Sequence, residues 1–265
     1  MRRFLALFWL AAAAVLASCA TAPPAREASS EPARIFVVAA NPLAAEAGMN
    51  VLRRGGSAVD AAIAVQAMLS LVEPQSSGLG GGAFLHHYDA ATLRLIVYDG
   101  REVAPAGATP DMFLDDNGEP LPFGTAVLSG RATGVPGVVA MLAVAHRERG
   151  RLPWNGLFGD AERTARDGFL VSPRLARLVN GRAPQNGAPD VRAYFSKPDG
   201  SLVQAGDRLR NPAYADFLRR LAAEGPSALY RGPTAARIVE RTRAAVGPRY
   251  KALGPSAARR RRKSA

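Results

Sequence analysis

The apolar and polar positions along the chain alternate with periods that mark out a series of elements. Ile35, Phe36, Val37, Val38 and Ala39 form a short, β-branched apolar run and predict a buried strand. Asn41 before Pro42 predicts a helix N-cap with proline in the first turn. Leu43, Ala47 and Val51 then recur one above the other until Gly55-Gly56 stops the helix. Ser57 and Asp60 have the spacing of a capping box opening a second helix, which runs through Val72 to Glu73-Pro74. That helix is apolar nearly all round, so it should lie buried between layers, with Met68 filling core space. Strands at 83–88 and 93–98, joined through 89–92, predict a hairpin.

Thr109-Pro110, Ser172-Pro173 and Asn211-Pro212 repeat the cap-then-proline signal and predict further helix starts. Helical patterns cover 138–149, 154–167, 173–180, 212–224 and 234–243, whereas 181–210 reads as loop with a short β excursion near Asp199-Gly200. No internal repeat and no second domain boundary emerges. Strands and buried helices mixed in this order predict a layered α/β or α+β fold.

Composition narrows the function. With 265 residues, 48% of them apolar, the chain can bury a sizeable core, and its glycine and proline content is below that of low-complexity sequence. One cysteine excludes a disulfide framework and a cysteine-rich zinc site. The net charge of +12 is local: residues 241–265 hold nine Lys and Arg and no acid, and Arg2 and Arg3 sit at the start. Without these groups the body is nearly neutral, so the charge is no footprint of nucleic acid.

The amino terminus reads as an export signal over residues 1–18: Arg2 and Arg3, then an apolar stretch from Phe4 to Ala17, too short to span a bilayer. Leu16-Ala17-Ser18-Cys19 is similar to a bacterial lipobox, which implies cleavage before Cys19 and acylation of its thiol. Two acyl chains would hold the protein firmly at a membrane. Ala20 in place of Asp implies passage to the periplasmic face of the outer membrane. Residues 19–34, rich in Ala, Pro and Ser, read as a tether.

Candidate chemistry is sparse. The run Gly78-Leu79-Gly80-Gly81-Gly82 has no following Lys-Ser/Thr and leads into a strand, so it predicts close backbone approach, not phosphate binding. His86 and His87 are adjacent on a strand and must face opposite ways, and His146 has no carboxylate spaced to join it; no metal or cofactor is expected. Arg101 stands at a strand exit after Gly100. It could clamp a carboxylate with two parallel hydrogen bonds, or simply be a surface arginine satisfied by Asp99 or Glu102, the more ordinary outcome. No nucleophile–base pair can be picked out by spacing.

Several blocks in order resemble the large-subunit part of the γ-glutamyltranspeptidase (glutathione hydrolase) family. They include Asn41-Pro42-Leu43-Ala44, Leu52-Arg53-Arg54-Gly55-Gly56-Ser57-Ala58-Val59-Asp60, Val72-Glu73-Pro74-Gln75-Ser76-Ser77-Gly78-Leu79-Gly80-Gly81-Gly82, Asp99-Gly100-Arg101-Glu102, Gly134-Val135-Pro136-Gly137 and Gly168-Phe169-Leu170-Val171-Ser172-Pro173. The resemblance runs over residues 35–240. It implies an N-terminal-nucleophile hydrolase fold, an αββα sandwich left incomplete by this chain. It also implies a precursor that cuts itself before a threonine, whose hydroxyl attacks the γ-glutamyl amide while its own amine serves as base. Carried over, Arg101 would bind the α-carboxylate of the γ-glutamyl group, with Glu102 organising it. The small-subunit half, with the nucleophile, would be a partner.

Departures from the family pattern set the remaining expectations. Its consecutive threonines followed by histidine do not occur in the sequence. Residues 241–265 read as a basic, non-family tail, the product of a truncated or frameshifted reading. The chain alone is then expected to be inactive. A lipid-anchored periplasmic protein that binds γ-glutamyl or amino-acid ligands without turnover is the alternative.

Overall fold

The computed structural model describes residues 35–245. The expected export signal, Cys19, the expected tether and all but the first few residues of the expected basic tail lie outside the described residues.

Helix α1 (Pro42–Arg53) starts as expected, the Asn41 side chain accepting the Leu43 amide. Helix α2 (Ala58–Val72) opens with a complete capping box: Ser57 Oγ accepts from the Asp60 amide, and the Asp60 carboxylate accepts from the Ser57 amide. The two helices pack along each other, and in α2 only Ala58 is exposed. Its apolar circumference forces this, because every face must leave water. Met68 lies in the core, as its pattern predicted.

Strands β1 (Ala83–Asp89) and β2 (Arg94–Gly100) form an antiparallel hairpin with Leu85 opposite Tyr98 and His87 opposite Ile96. The turn is set by Asp89, whose carboxylate accepts the amides of Ala91 and Thr92, and by Leu93 with φ of 54°. It therefore sits one residue later than predicted. Helix α3 (Phe123–Leu128) and the helix α4 (Val138–Arg149) follow. Helix α4 covers the inner face of the hairpin: Met141 fills the space beside Gly100, and the Tyr98 hydroxyl donates to Glu148 at 2.7 Å. The outer face carries Phe84, Tyr88, Leu95 and Val97, all more than half exposed.

The remaining chain is mostly helical. A 3₁₀ turn over Trp154–Leu157 precedes α5 (Gly159–Asp167), where one helix was expected. Strand β3 (Phe169–Leu170), α6 (Pro173–Val179), α7 (Pro189–Phe195) and β4 (Arg208–Leu209) come next. Helices α8 (Pro212–Glu224), α9 (Ser227–Tyr230) and α10 (Gly232–Ala244) complete the described residues. Helix α8 is tied to α2 by the Tyr214 hydroxyl, which donates to the Ala67 carbonyl at 2.8 Å. No helix among the described residues is long and apolar enough to cross a membrane.

Three sequence expectations are corrected. Residues 35–39 form no strand: they pair with nothing among the described residues, and Val38 is 85% exposed. A β-branched run gains strand structure only against a neighbour, and none is supplied here. Thr109-Pro110 starts no helix; successive turns lead to the Leu114–Pro120 bridge, because Asp115 captures the amides of Asn117 and Glu119 in a tight turn. The 181–210 segment is not simply loop, since it holds a 3₁₀ turn, α7 and the two-residue β4 pairing with β3. The expected excursion at Asp199-Gly200 is present as the Ser196–Leu202 bridge.

Candidate active site

Two buried carboxylates organise the helical layer. Glu73, 1% exposed, ends α2 and accepts hydrogen bonds from Asn41 Nδ2 (3.0 Å), Gln75 Nε2 (2.5 Å), Ser172 Oγ (3.3 Å) and Arg174. Burial by itself pushes its carboxyl up. The bonds from Asn41, Gln75 and Arg174, with the Arg174 charge, prevail and hold it below its ordinary value of 4.5. Asp60, fully buried, accepts through one oxygen from the amides of Ser57, Arg151 and Leu152 at 2.9–3.0 Å. Its other oxygen lies 3.6 Å from His146 Nε2, which is itself 2.9 Å from the Leu152 carbonyl oxygen. The carboxylate that reaches His146 thus comes from a different helix, which its spacing along the chain could not reveal. Among the described residues no group of three His, Cys, Asp or Glu is placed to hold a metal ion. His86 and His87 occupy opposite faces of β1, His86 on the open one.

Arg101 follows the last residue of β2. Its amide donates to Asp99 Oδ1 at 2.9 Å, which turns the chain out of the sheet and leaves the side chain 58% exposed. The guanidinium lies 3.3 Å from Glu102 Oε2, an oxygen that is buried and has no hydrogen bond of good geometry. Glu102 thus engages one terminal nitrogen of a group with five donors, in a side chain that is otherwise more than half open to solvent. Beside them is a pocket of about 500 Å³ lined by Gly80, Arg101, Glu102, Val103, Thr133 and Gly134, among others.

Glycines make this site compact, although within the 78–82 run the close approach falls at Gly82 and not at Gly78 or Gly80. A Cβ at Gly82 would overlap the Glu102 carboxylate and amide, and one at Gly137 would overlap the Gly100 carbonyl oxygen. The amides of Gly137 and Val138 both donate to the Gly81 carbonyl, and Val103 and Val135 exchange a pair of backbone bonds. The Gly-rich run, the strand exit and the turn before α4 are therefore one interlocked unit. Sequence reasoning singled out Arg101 and Glu102 but missed Thr133 and Gly134 as pocket wall. The Gly134-Val135-Pro136-Gly137 block was visible only as part of the family resemblance and as the lead into a helix.

A second pocket, about 370 Å³, lies between α1 and α5 and contains none of the residues the sequence offered as candidate chemistry. Its Asp160 is already engaged by Arg163 and by Asn50 Nδ2 at 3.1 Å.

The sequence profile described as "Gamma-glutamyltranspeptidase" matches residues 44–250. The glutathione hydrolase proenzyme of Bacillus subtilis (strain 168) is 38% identical over 197 residues, covering 74% of this chain and 33% of that protein. The glutathione hydrolase proenzyme of Escherichia coli (strain K12) is 35% identical over 235 residues, covering 84% and 40%. Among solved structures, the Helicobacter pylori γ-glutamyltranspeptidase superposes with a TM-score of 0.73 at 31% identity, covering 78% of this chain and 59% of that one. The Pseudomonas nitroreducens γ-glutamyltranspeptidase complexed with L-DON gives the same TM-score and identity, covering 81% and 62%. This chain spans about a third of the length of the first of these curated relatives.

Proposed function

The chain belongs to the γ-glutamyltranspeptidase family and shares the α/β fold of its N-terminal-nucleophile hydrolases; from that premise we propose that it is the donor-binding part of an enzyme acting on γ-glutamyl compounds such as glutathione. The observation that carries this reading is Arg101, whose half-solvated guanidinium stands at the mouth of a pocket with Glu102 on one edge only. The free edge suits the α-carboxylate of a γ-glutamyl group, taken up through two parallel charge-assisted hydrogen bonds. Glu102 keeps the guanidinium from swinging away.

The chemistry would need a threonine outside the matched span. Its hydroxyl oxygen adds to the γ-carbonyl carbon while its α-amine takes the proton; the amide C–N bond breaks and the amine departs protonated. Water or an amino acid's amine then attacks the resulting ester and frees the threonine. This chain would orient the donor, and the complementary half would perform the attack. The open apolar face of the hairpin (Phe84, Tyr88, Leu95, Val97) supports that partner, because a patch of this kind marks a surface meant to be covered. The chain by itself should therefore not turn over γ-glutamyl-p-nitroanilide.

Calorimetry with glutathione tests the donor site. Arg101→Ala should weaken binding by about ten- to a hundredfold, the worth of hydrogen bonds between charged groups. The unfolding midpoint should also fall somewhat, since truncation leaves the buried Glu102 Oε2 without its ion-pair partner. Unchanged affinity in the variant would remove Arg101 from the site. Heat of binding without turnover, even with the complementary half present, would instead favour a non-catalytic binding protein.

Export and acylation at Cys19, placing the protein on the periplasmic face of the outer membrane, complete the proposal; the lipobox-like Leu16-Ala17-Ser18-Cys19 supports it. The native protein should incorporate labelled fatty acid, and Cys19→Ser should abolish the labelling. Absence of label in the native protein, or equal labelling of the variant, would dismiss acylation at Cys19.

A further inference from the structure

Helix α4 begins without a side-chain cap of its own: Gly137 precedes it and can offer none. The first amides of a helix have no acceptor inside it, so something else must supply one. Here the acceptor comes from about ninety residues away. The Tyr230 hydroxyl, at the end of α9, accepts from the Ala140 amide at 3.1 Å and donates to the Pro136 carbonyl oxygen at 3.0 Å. One phenol thus ties the first turn of α4 to the loop that leads into it. That loop is the seat of Arg101: Gly137 lies against the carbonyl oxygens of Gly100 and Arg101, Gly134 lies against the Glu102 side chain, and Val135 is bonded to Val103.

We propose that Tyr230 is a positioning residue for the Arg101 pocket, its bridging hydroxyl holding the Pro136–Gly137 turn against the Arg101–Glu102 backbone. Nothing in this argument needs Tyr230 to touch the ligand. It acts through a chain of three contacts, hydroxyl to turn, turn to strand exit, strand exit to guanidinium. Because the glycine contacts leave no slack, a shift of the turn must be passed on to the Arg101 peptide, not absorbed. The consequence for ligand affinity rests on the donor-site reading above, whereas the consequence for Arg101 itself does not.

The experiment is Tyr230→Phe in the full chain, with the Arg101 side-chain Nε–Hε signal and the Gly81 and Gly137 amides followed by NMR. Loss of the hydroxyl should shift all three. Glutathione affinity should fall roughly two- to tenfold, the worth of a neutral hydrogen bond. A purely structural Tyr230 would lower the unfolding midpoint yet leave the Arg101 signal and the affinity of the folded protein unchanged; that result overturns the proposal. If the unsubstituted chain binds no glutathione, the donor-site reading fails, and the Arg101 signal still decides the role of Tyr230. Should the phenylalanine variant not fold, 3,5-difluorotyrosine at position 230 keeps the ring and hydroxyl but ionises at lower pH. The Arg101 signal should then follow the titration of residue 230, and a flat response would equally dismiss the coupling.

Discussion

Glu73→Ala should lower the free energy of unfolding by about 2–4 kcal/mol, from orphaning a buried amide group and losing the hydrogen bonds the carboxylate gathers. The carboxylate is the common acceptor for donors from three segments: the cap of α1 (Asn41), the turn after α2 (Gln75) and the start of α6 (Ser172 and Arg174). Truncation orphans the Asn41 amide group, which is itself buried, and frees Arg174 into solvent, so the Asn41 side bears most of the loss. Denaturant unfolding at neutral pH measures the effect. The same carboxylate gives a pH signature. Its native pKa is depressed, so its contribution is complete above the unfolded value near 4.5 and is withdrawn as pH falls through the native pKa. Stability of the unsubstituted chain should therefore drop on acidification below about pH 4.5, and Glu73→Gln should flatten part of that slope. An unflattened slope would assign the acid sensitivity to other carboxylates.

A second substitution with an effect of this size is Asp60→Ala. One Asp60 oxygen serves three backbone amides, Ser57 at the start of α2 and Arg151 and Leu152 in the segment leaving α4. Alanine offers them no acceptor, and each buried amide without an acceptor costs about 1–3 kcal/mol. The expected loss is about 3–5 kcal/mol, somewhat below the plain sum because water can reach the partly exposed amides. Asp60→Asn retains an oxygen for these amides and should cost clearly less. Equal losses in the two variants would show that the charge near His146, not the acceptor, is what the fold requires.

The four helix starts that carried a true cap illustrate what local chemistry made legible. Asn41, Ser57, Ser172 and Asn211 each accept a backbone amide within two or three residues, so the information lies in a few adjacent side chains. Thr109-Pro110 has the same two-residue signal, yet the neighbouring Asp115 turn competes for the backbone and prevails. Helices α3, α7 and α9 carry no side-chain cap, and nothing in their sequences announced them. The 35–39 run failed for a different reason: a strand exists only with its partner, and periodicity says nothing about whether one is present.

Arg101 and Glu102 were legible as a resemblance, and the glycines around them as a demand for close approach. Glu73 was visible as the end of a helix and as part of a family-like block, with no sign that it gathers donors up to 101 residues away. His146 looked isolated until α2 brought Asp60 beside it.

By itself, the sequence determined the capped helices and the hairpin, because each depends on spacing along a few turns of chain, and it pointed to Arg101 and Glu102 only through a family resemblance. Tertiary structure alone decided that Asp60 and Glu73 become shared acceptors, that the turn before α4 supports Arg101, and that Tyr230 closes that turn. The reason is physical: a buried donor or acceptor must find a partner wherever the packing brings one, and packing joins residues whose separation in the chain carries no trace of the contact.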